Sequence, residues 1–290
     1  MKFTKEDLEL QNGLKKEWLI TNGTGGFASS TIIGANTRKY HGLLIAPLTP
    51  PARRFLVLSK LDESIESNGK TYNLYTNIAN GEISEGYRYL TEFRMEYVPI
   101  FTYNVDGIIV KKFISMEYGK NTVVVLYRVK NHGYDSKLTL APIVNFRDFH
   151  TDSHNHQFDA RQSHVGTKLK VILDGNSATP IYMNCSDGKY LKHNDDTFNN
   201  MYYPREEERG FEATENHYVP GVYNINIGAN EEKDITFVCS LDENIEEIDG
   251  INVINKEVMR LSEVIYDTKI LQERKMNDEN VDILKKLTIL

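Results

Sequence analysis

The chain has 290 residues, 40% hydrophobic and 26% charged, enough for one large globular domain or two modest ones with a real core. A formal net charge of −7 gives no reason to expect a nucleic-acid backbone or an anionic membrane as partner. Only Cys185 and Cys239 are present, too few for a disulfide framework or a structural zinc site, and a reducing, cytoplasmic compartment fits.

The opening "MKFTKEDLELQNGLKKEWLI" lacks the basic region and apolar core of a secretory signal. No window reaches the ~18 apolar residues of a membrane helix. Next comes "NGTGGFASSTIIGANTRKYHGLLIA", residues 22–46, with Gly23, Gly25 and Gly26 crowded together and Arg38, Lys39, Tyr40 and His41 in a row. A phosphate loop requires a helix after the glycines; "FASSTIIG" is β-prone, so a tight turn or bulge is the better reading.

From about residue 30 to 240, short runs of β-branched and aromatic residues recur between turn residues: "HGLLIAP", "RRFLVLSKL", "KTYNLYTN", "FRMEYVPIFTYNV", "GIIVKKFISMEY", "NTVVVLYRVKN", "SKLTLAPIVNF", "TKLKVILDG", "TPIYMNC", "GVYNINIG" and "DITFVCSL". Asp106-Gly107 marks a hairpin between two of them. Seventeen tyrosines and twelve phenylalanines against one tryptophan agree with strands. Ten or more antiparallel strands without intervening helices imply two large packed sheets, a mainly β sandwich occupying residues 1–242.

After about residue 242 the period changes. In "INVINKEVMRLSEVIYDTKIL", Ile251, Ile254, Val258, Leu261 and Ile265 form one helical stripe. A second helix is expected in "MNDENVDILKKLTIL", capped by Asn277 or Asp278, with Val281, Leu284 and Leu287 on one face. An amphipathic pattern running to Leu290 implies something to pack against, so residues 243–290 are expected to lead into a further domain.

Three further stretches carry chemistry-bearing side chains. "RDFH" puts Arg147, Asp148 and His150 at a strand end, where Arg147 and Asp148 are expected to form a partly buried ion pair. His150, His154 and His156 are close in sequence, but a polar loop lacks the helical spacing of a metal motif, so a solvated loop is preferred and no metal or other cofactor is expected. In "YYPREEERG", Glu206, Glu207 and Glu208 are adjacent and diverge, unlike the two facing carboxylates of a glycosidase. A charged loop is expected there.

Residues 17–63, "EWLITNGTGGFASSTIIGANTRKYHGLLIAPLTPPARRFLVLSKLDE", resemble the start of bacterial and archaeal glycogen debranching enzymes. "NFRDFH" and "YYPREEERGFEATENHYVPGVY" resemble later stretches of the same N-terminal domain, and the resemblance covers most of residues 15–240. Thr24 and Ala35 stand where leucine is expected, without loss of a polar group. The resemblance implies a supersandwich of the galactose mutarotase-like kind, preceding an (α/α)6 barrel that holds the catalytic carboxylates. It implies an amylo-α-1,6-glucosidase acting at glycogen branch points, with this chain non-catalytic, the barrel of the same polypeptide as one partner and α-glucan as the other. Asn22, Gly25, Gly26, Arg38, Tyr40, His41, Arg147, Asp148, His150 and Glu207 are then the substrate-binding or domain-interface candidates. Arg38 either meets a carboxylate or sugar hydroxyl at the barrel, or pairs internally with Asp148 or Glu207. Two other functions compete: an autonomous α-glucan-binding module stacking tyrosines and Trp18 on sugars, and a mutarotase-like epimerase using a His and a Glu as acid and base.

Overall fold

The computed structural model describes residues 1–272, the side chains of 194, 195 and 267–272 excepted. Its body is two large antiparallel sheets, as the alternating runs predict. The first has nine strands, in spatial order Lys2–Phe3, Leu90–Met95, Pro99–Val105, Ile108–Met116, Thr122–Asn131, Glu232–Ser240, Ile181–Cys185, Lys168–Leu173 and Ala160–Val165. The second has ten: Glu17–Thr21, Phe27–Thr31, Gly42–Thr49, Ala52–Ser67, Ser136–Asp148, Thr214–Ile227, Lys189–Tyr202, Ile78–Ala79 and Glu82–Ile83 lie side by side, and Lys70–Asn73 pairs with Ala52–Ser67.

Period-two patterning decides which faces meet. Val123, Val125, Tyr127 and Val129 of the first sheet are buried in one large cluster with Leu138, Leu140 and Val144 of the second. That core also holds an ionic bridge between the sheets. Glu63 of the second sheet accepts from the Tyr127 hydroxyl at 2.5 Å and the Lys112 ammonium at 2.5 Å, both from the first. Burial, reinforced by Glu63, pushes the Tyr127 phenol well above its ordinary range, so it donates rather than ionises. Cys185 and Cys239 are free thiols in the same core.

Gly250–Gln272 forms the first expected helix and lies across the far side of the first sheet. Val253 packs on Val124 and Val238, and Ile254 and Val258 on Val98, Ile100 and Leu126. The helix is rotated from the expected stripe: Ile251 is exposed, and Val253 takes its place in the buried face. The second expected helix lies outside the described residues. No helix among the described residues is long and apolar enough to cross a membrane.

Two strands had weak signals. Lys189–Tyr202, "KYLKHNDDTFNNMY", is too polar to read as β, yet it pairs along Thr214–Ile227 with two register shifts. Ala160–Val165 is a mostly exposed edge strand with little apolar face.

Candidate functional site

The neighbouring strands Ser136–Asp148 and Thr214–Ile227 place the site. Val144 and Tyr218 belong to the main core, so Asn145, Arg147, Glu215 and His217 fall on the opposite, outer face of the second sheet. A separate small apolar cluster of Ile143, Met201 and Tyr203 accompanies them. Glu215 and His217 are 0% exposed.

These side chains form one hydrogen-bonded network. The Arg147 guanidinium grips Glu215 through two nitrogens: Nε to Oε1, and Nη2 to Oε2 at 2.9 Å. Tyr203 donates to Glu215 Oε2 at 2.8 Å, and the Ser153 amide to Oε1 at 3.1 Å. Asn145 Nδ2 donates to His217 Nδ1 at 3.3 Å, which leaves the imidazole proton on Nε2, 3.0 Å from the Tyr203 oxygen that accepts it. Burial pushes the His217 pKa down to about 4, against the attraction of Glu215, so the ring is neutral. Burial also opposes ionisation of Glu215, but the Arg147 guanidinium and the Tyr203 hydroxyl outweigh it and hold the carboxyl below its usual range.

The network pins the loops that cover it. Arg147 Nη2 donates to the Lys39 carbonyl at 2.8 Å and Nη1 to the Asp148 carbonyl at 3.2 Å. Asn145 Nδ2 donates to Ser153 Oγ at 3.1 Å. The one-turn helix Pro204–Glu207 follows Tyr203, and the Arg205 amide donates to the Thr37 carbonyl at 3.1 Å. Three segments distant in sequence therefore meet over one buried carboxylate.

An aromatic and cationic surface lies above it. Tyr40 contacts the rings of Phe149 and His150 edge-on, at 5.5 and 6.0 Å between centroids. The Arg54 guanidinium lies over Phe149 at 5.5 Å, and Lys39 faces Tyr40 and Phe211 at 5.7 Å each. Phe211 is 53% exposed.

The glycine loop joins this surface through Arg54, whose Nε donates to the Gly25 carbonyl at 2.7 Å. Asn22 is buried and organises the loop: Oδ1 accepts from the Thr24 and Gly26 amides at 3.0 and 2.8 Å, and Nδ2 donates to the Lys120 carbonyl at 2.8 Å. Gly25 has φ +98°, and a Cβ there would lie 2.8 Å from the Pro51 backbone. The glycine is required by the turn and by the close approach.

Several expected pairings differ. Arg38 binds neither Asp148 nor Glu207; its Nε donates to Glu17 at 2.8 Å, on a half-exposed surface. His41 is buried behind it, with Nδ1 accepting from the Thr37 amide at 3.1 Å and Nε2 3.7 Å from Glu17. Partial burial opposes ionisation of Glu17, yet His41 and Arg38 prevail and hold it at about 2. Arg147 and Asp148 are adjacent on a strand and diverge, so Arg147 reaches across to Glu215, while Asp148 Oδ1 accepts from the His150 amide at 2.9 Å. Glu207 accepts from the Tyr202 hydroxyl, and Glu206, expected in a charged loop, is fully buried. His154 meets Thr214 and His156 meets Asp174, both exposed, and no cluster among the described residues is placed to hold a metal.

Glu215, His217, Tyr203 and Asn145 escaped the sequence reading. Their signal is faint: Asn145-x-Arg147 and Glu215-x-His217 repeat at period two inside strands, where polar residues on a shared face imply a covered second surface.

The segments that converge here are those that carry the sequence resemblance. The family described as "Glycogen debranching enzyme N terminal" matches residues 16–234. The chain belongs to this family. No curated protein matches it by sequence. Among solved structures, a putative kojibiose phosphorylase from the human microbiome is similar at 11% identity and TM-score 0.37, over 93% of this chain and 35% of that one. A bacterial glucoamylase complexed with acarbose is similar at 8% identity and TM-score 0.40, over 89% of this chain and 35% of that one. The chain thus spans about a third of the length of either structure.

Proposed function

We propose that this chain is the non-catalytic N-terminal domain of a cytoplasmic enzyme that hydrolyses α-1,6 branch points of glycogen. On this reading residues 1–242 are a supersandwich of the mutarotase-like kind, and residues 243–290 lead to an (α/α)6 barrel with the catalytic carboxylates. The observation that carries it is that the family's sequence segments, scattered over 16–234, assemble into one loop surface held by the Arg147–Glu215 network. A surface built from three separated loops and anchored by a buried bidentate ion pair suits a contact face that must keep its shape. Asn22, Gly25 and Gly26 shape its rim. Tyr40, His150 and Asp148 belong to the face itself, Arg147 fixes it from beneath, and Arg38, His41 and Glu207 brace the flanking loops.

The test is glucose release from branched dextrin. The purified chain alone is expected to release none, and adding a separately produced barrel domain of a family enzyme is expected to give activity above that of the barrel alone. Turnover by the purified chain itself would refute the reading.

A second reading, an autonomous α-glucan-binding module, is favoured by exposed Phe211 beside Tyr40, since exposed rings stack on sugars. Retention of the isolated chain on glycogen, lost in Phe211→Ala, would support it. The epimerase reading loses ground: His217 and Glu215 form a His–Glu pair, but both are fully enclosed and Glu215 is clamped by Arg147, so neither can reach a sugar.

A further inference from the structure

Four cationic side chains are buried among the described residues: Lys39, Lys60, Lys112 and Arg147. Three have a carboxylate. Lys60 lies 3.3 Å from Asp62, Lys112 lies 2.5 Å from Glu63, and Arg147 grips Glu215. Lys39, only 9% exposed, has none within ion-pair distance among the described residues. Its ammonium makes one hydrogen bond, to the His150 carbonyl at 2.7 Å, and otherwise faces the rings of Tyr40 and Phe211. An ammonium has three donors, so two lack a partner in the described protein.

Ring faces attract a cation but do not neutralise it, so a largely enclosed ammonium without a counter-charge gains from a carboxylate brought to it. The deficit is one of charge, which distinguishes a carboxylate from a neutral sugar hydroxyl as the missing group. Arg54, over Phe149 in the same patch, likewise has a carbonyl, that of Gly25, and no carboxylate as partner among the described residues. Arg205 and Arg209 nearby are satisfied by Glu208 and Glu206 of their own turn. A chain of net charge −7 thus keeps two cations without a carboxylate partner among the described residues in one aromatic patch, with half-exposed Phe211 beside Lys39.

We propose that the Lys39 ammonium, framed by Tyr40, Phe211 and His150, is the seat for an aspartate or glutamate carboxylate delivered by the catalytic domain, with Phe211 packing against that domain's apolar surface. The proposal rests on the debranching-enzyme reading for the identity of the partner, but not for the chemistry of the seat. The two are tested separately.

Acetate serves as the probe for the seat. In the chain labelled with 13C at lysine, the Lys39 Cε–Hε signal is assigned by its loss in Lys39→Gln. It is then followed during titration with sodium acetate at constant ionic strength, sodium chloride being the reference and maltotetraose the competing probe. A saturable shift of the Lys39 signal with acetate, absent with chloride and maltotetraose, is expected. A silent Lys39 signal, or one that moves with maltotetraose and not with acetate, overturns the carboxylate seat. For the partner, Lys39→Gln is expected to weaken association with a separately produced family barrel domain by at least tenfold, with the melting temperature of the isolated chain unchanged and Lys39→Arg restoring part of the affinity. Wild-type affinity in Lys39→Gln overturns the barrel as source of the carboxylate. Failure of the wild-type chain to associate at all refutes the debranching reading and that source together, while the acetate arm still decides the seat.

Discussion

Two buried carboxylates in this molecule do different work. Glu63 lies between the sheets, and its partners Lys112 and Tyr127 come from the opposite sheet. Glu215 lies on the outer face of a single sheet; Arg147 and Tyr203 belong to that sheet or adjoin it, and from this pair bonds run on to the backbones at Lys39, Asp148 and Ser153. The first ties sheet to sheet, where apolar contacts already define the packing. The second ties loops to a sheet, where no apolar core could hold backbone that carries its own polar groups. Buried charge serves architecture in one place and the shape of a surface in the other.

Removing either carboxylate has the largest expected effect. Glu215→Ala and Glu63→Ala each leave a buried cation unpaired and are expected to lower unfolding free energy by about 3–5 kcal/mol in urea titrations. Their exchange patterns should differ. Glu215→Ala should strip amide protection from residues 37–41 and 150–153, whereas Glu63→Ala should leave those loops protected in the folded state. Equal loop protection in both variants would remove the distinction.

The outer-face network also carries a pH dependence through His217. His217 is neutral when folded, with its pKa depressed to about 4 from an ordinary 6.5. Between those values the unfolded chain takes up a proton that the folded chain refuses, so stability falls as pH drops from 6.5 toward 4. The loss amounts to up to about 3 kcal/mol. His217→Gln should flatten that part of the stability–pH curve; an unchanged slope would show that the imidazole is not held neutral. Glu215, depressed below 4.5, contributes stability above that pH that is lost only as pH falls further.

Smaller effects are expected at the rim. Gly25→Ala forces an L side chain into φ +98° against the Pro51 backbone and should cost about 1–3 kcal/mol by thermal unfolding, a larger effect than at Gly34, where a Cβ meets open space. Arg38→Ala removes only the half-exposed pair with Glu17 and should cost under about 1 kcal/mol, far from what a buried partner would give. A loss of about 3 kcal/mol at Arg38 would mean that the pair is not the surface contact described.

Much of the sandwich was legible because strands such as Thr122–Asn131 and Ile108–Met116 bury alternate residues in one core, and that periodicity is local. Lys189–Tyr202 was not, since a polar strand reveals itself only through its neighbour Thr214–Ile227. The loops of the candidate site were legible as segments: Asn22, Tyr40, His41 and His150 all lie in the assembly or on its rim. Their partners were not. Arg147 is 68 residues from Glu215 and 108 from Lys39, and no local pattern reports which distant carboxylate a guanidinium will choose. Sequence proximity pointed to Asp148, which diverges from Arg147 at the strand end and accepts from the His150 amide instead.

On the proposed function, the loop surface above Glu215 is the contact face for the catalytic domain of a debranching enzyme. Hydrogen exchange of the chain, with and without a separately produced barrel domain of a family enzyme, addresses it directly. Protection is expected in 22–26, 37–41, 147–153 and 204–211. Protection confined to the opposite strand ends, at 66–69, 135–137 and 226–228, or none at all, would contradict it.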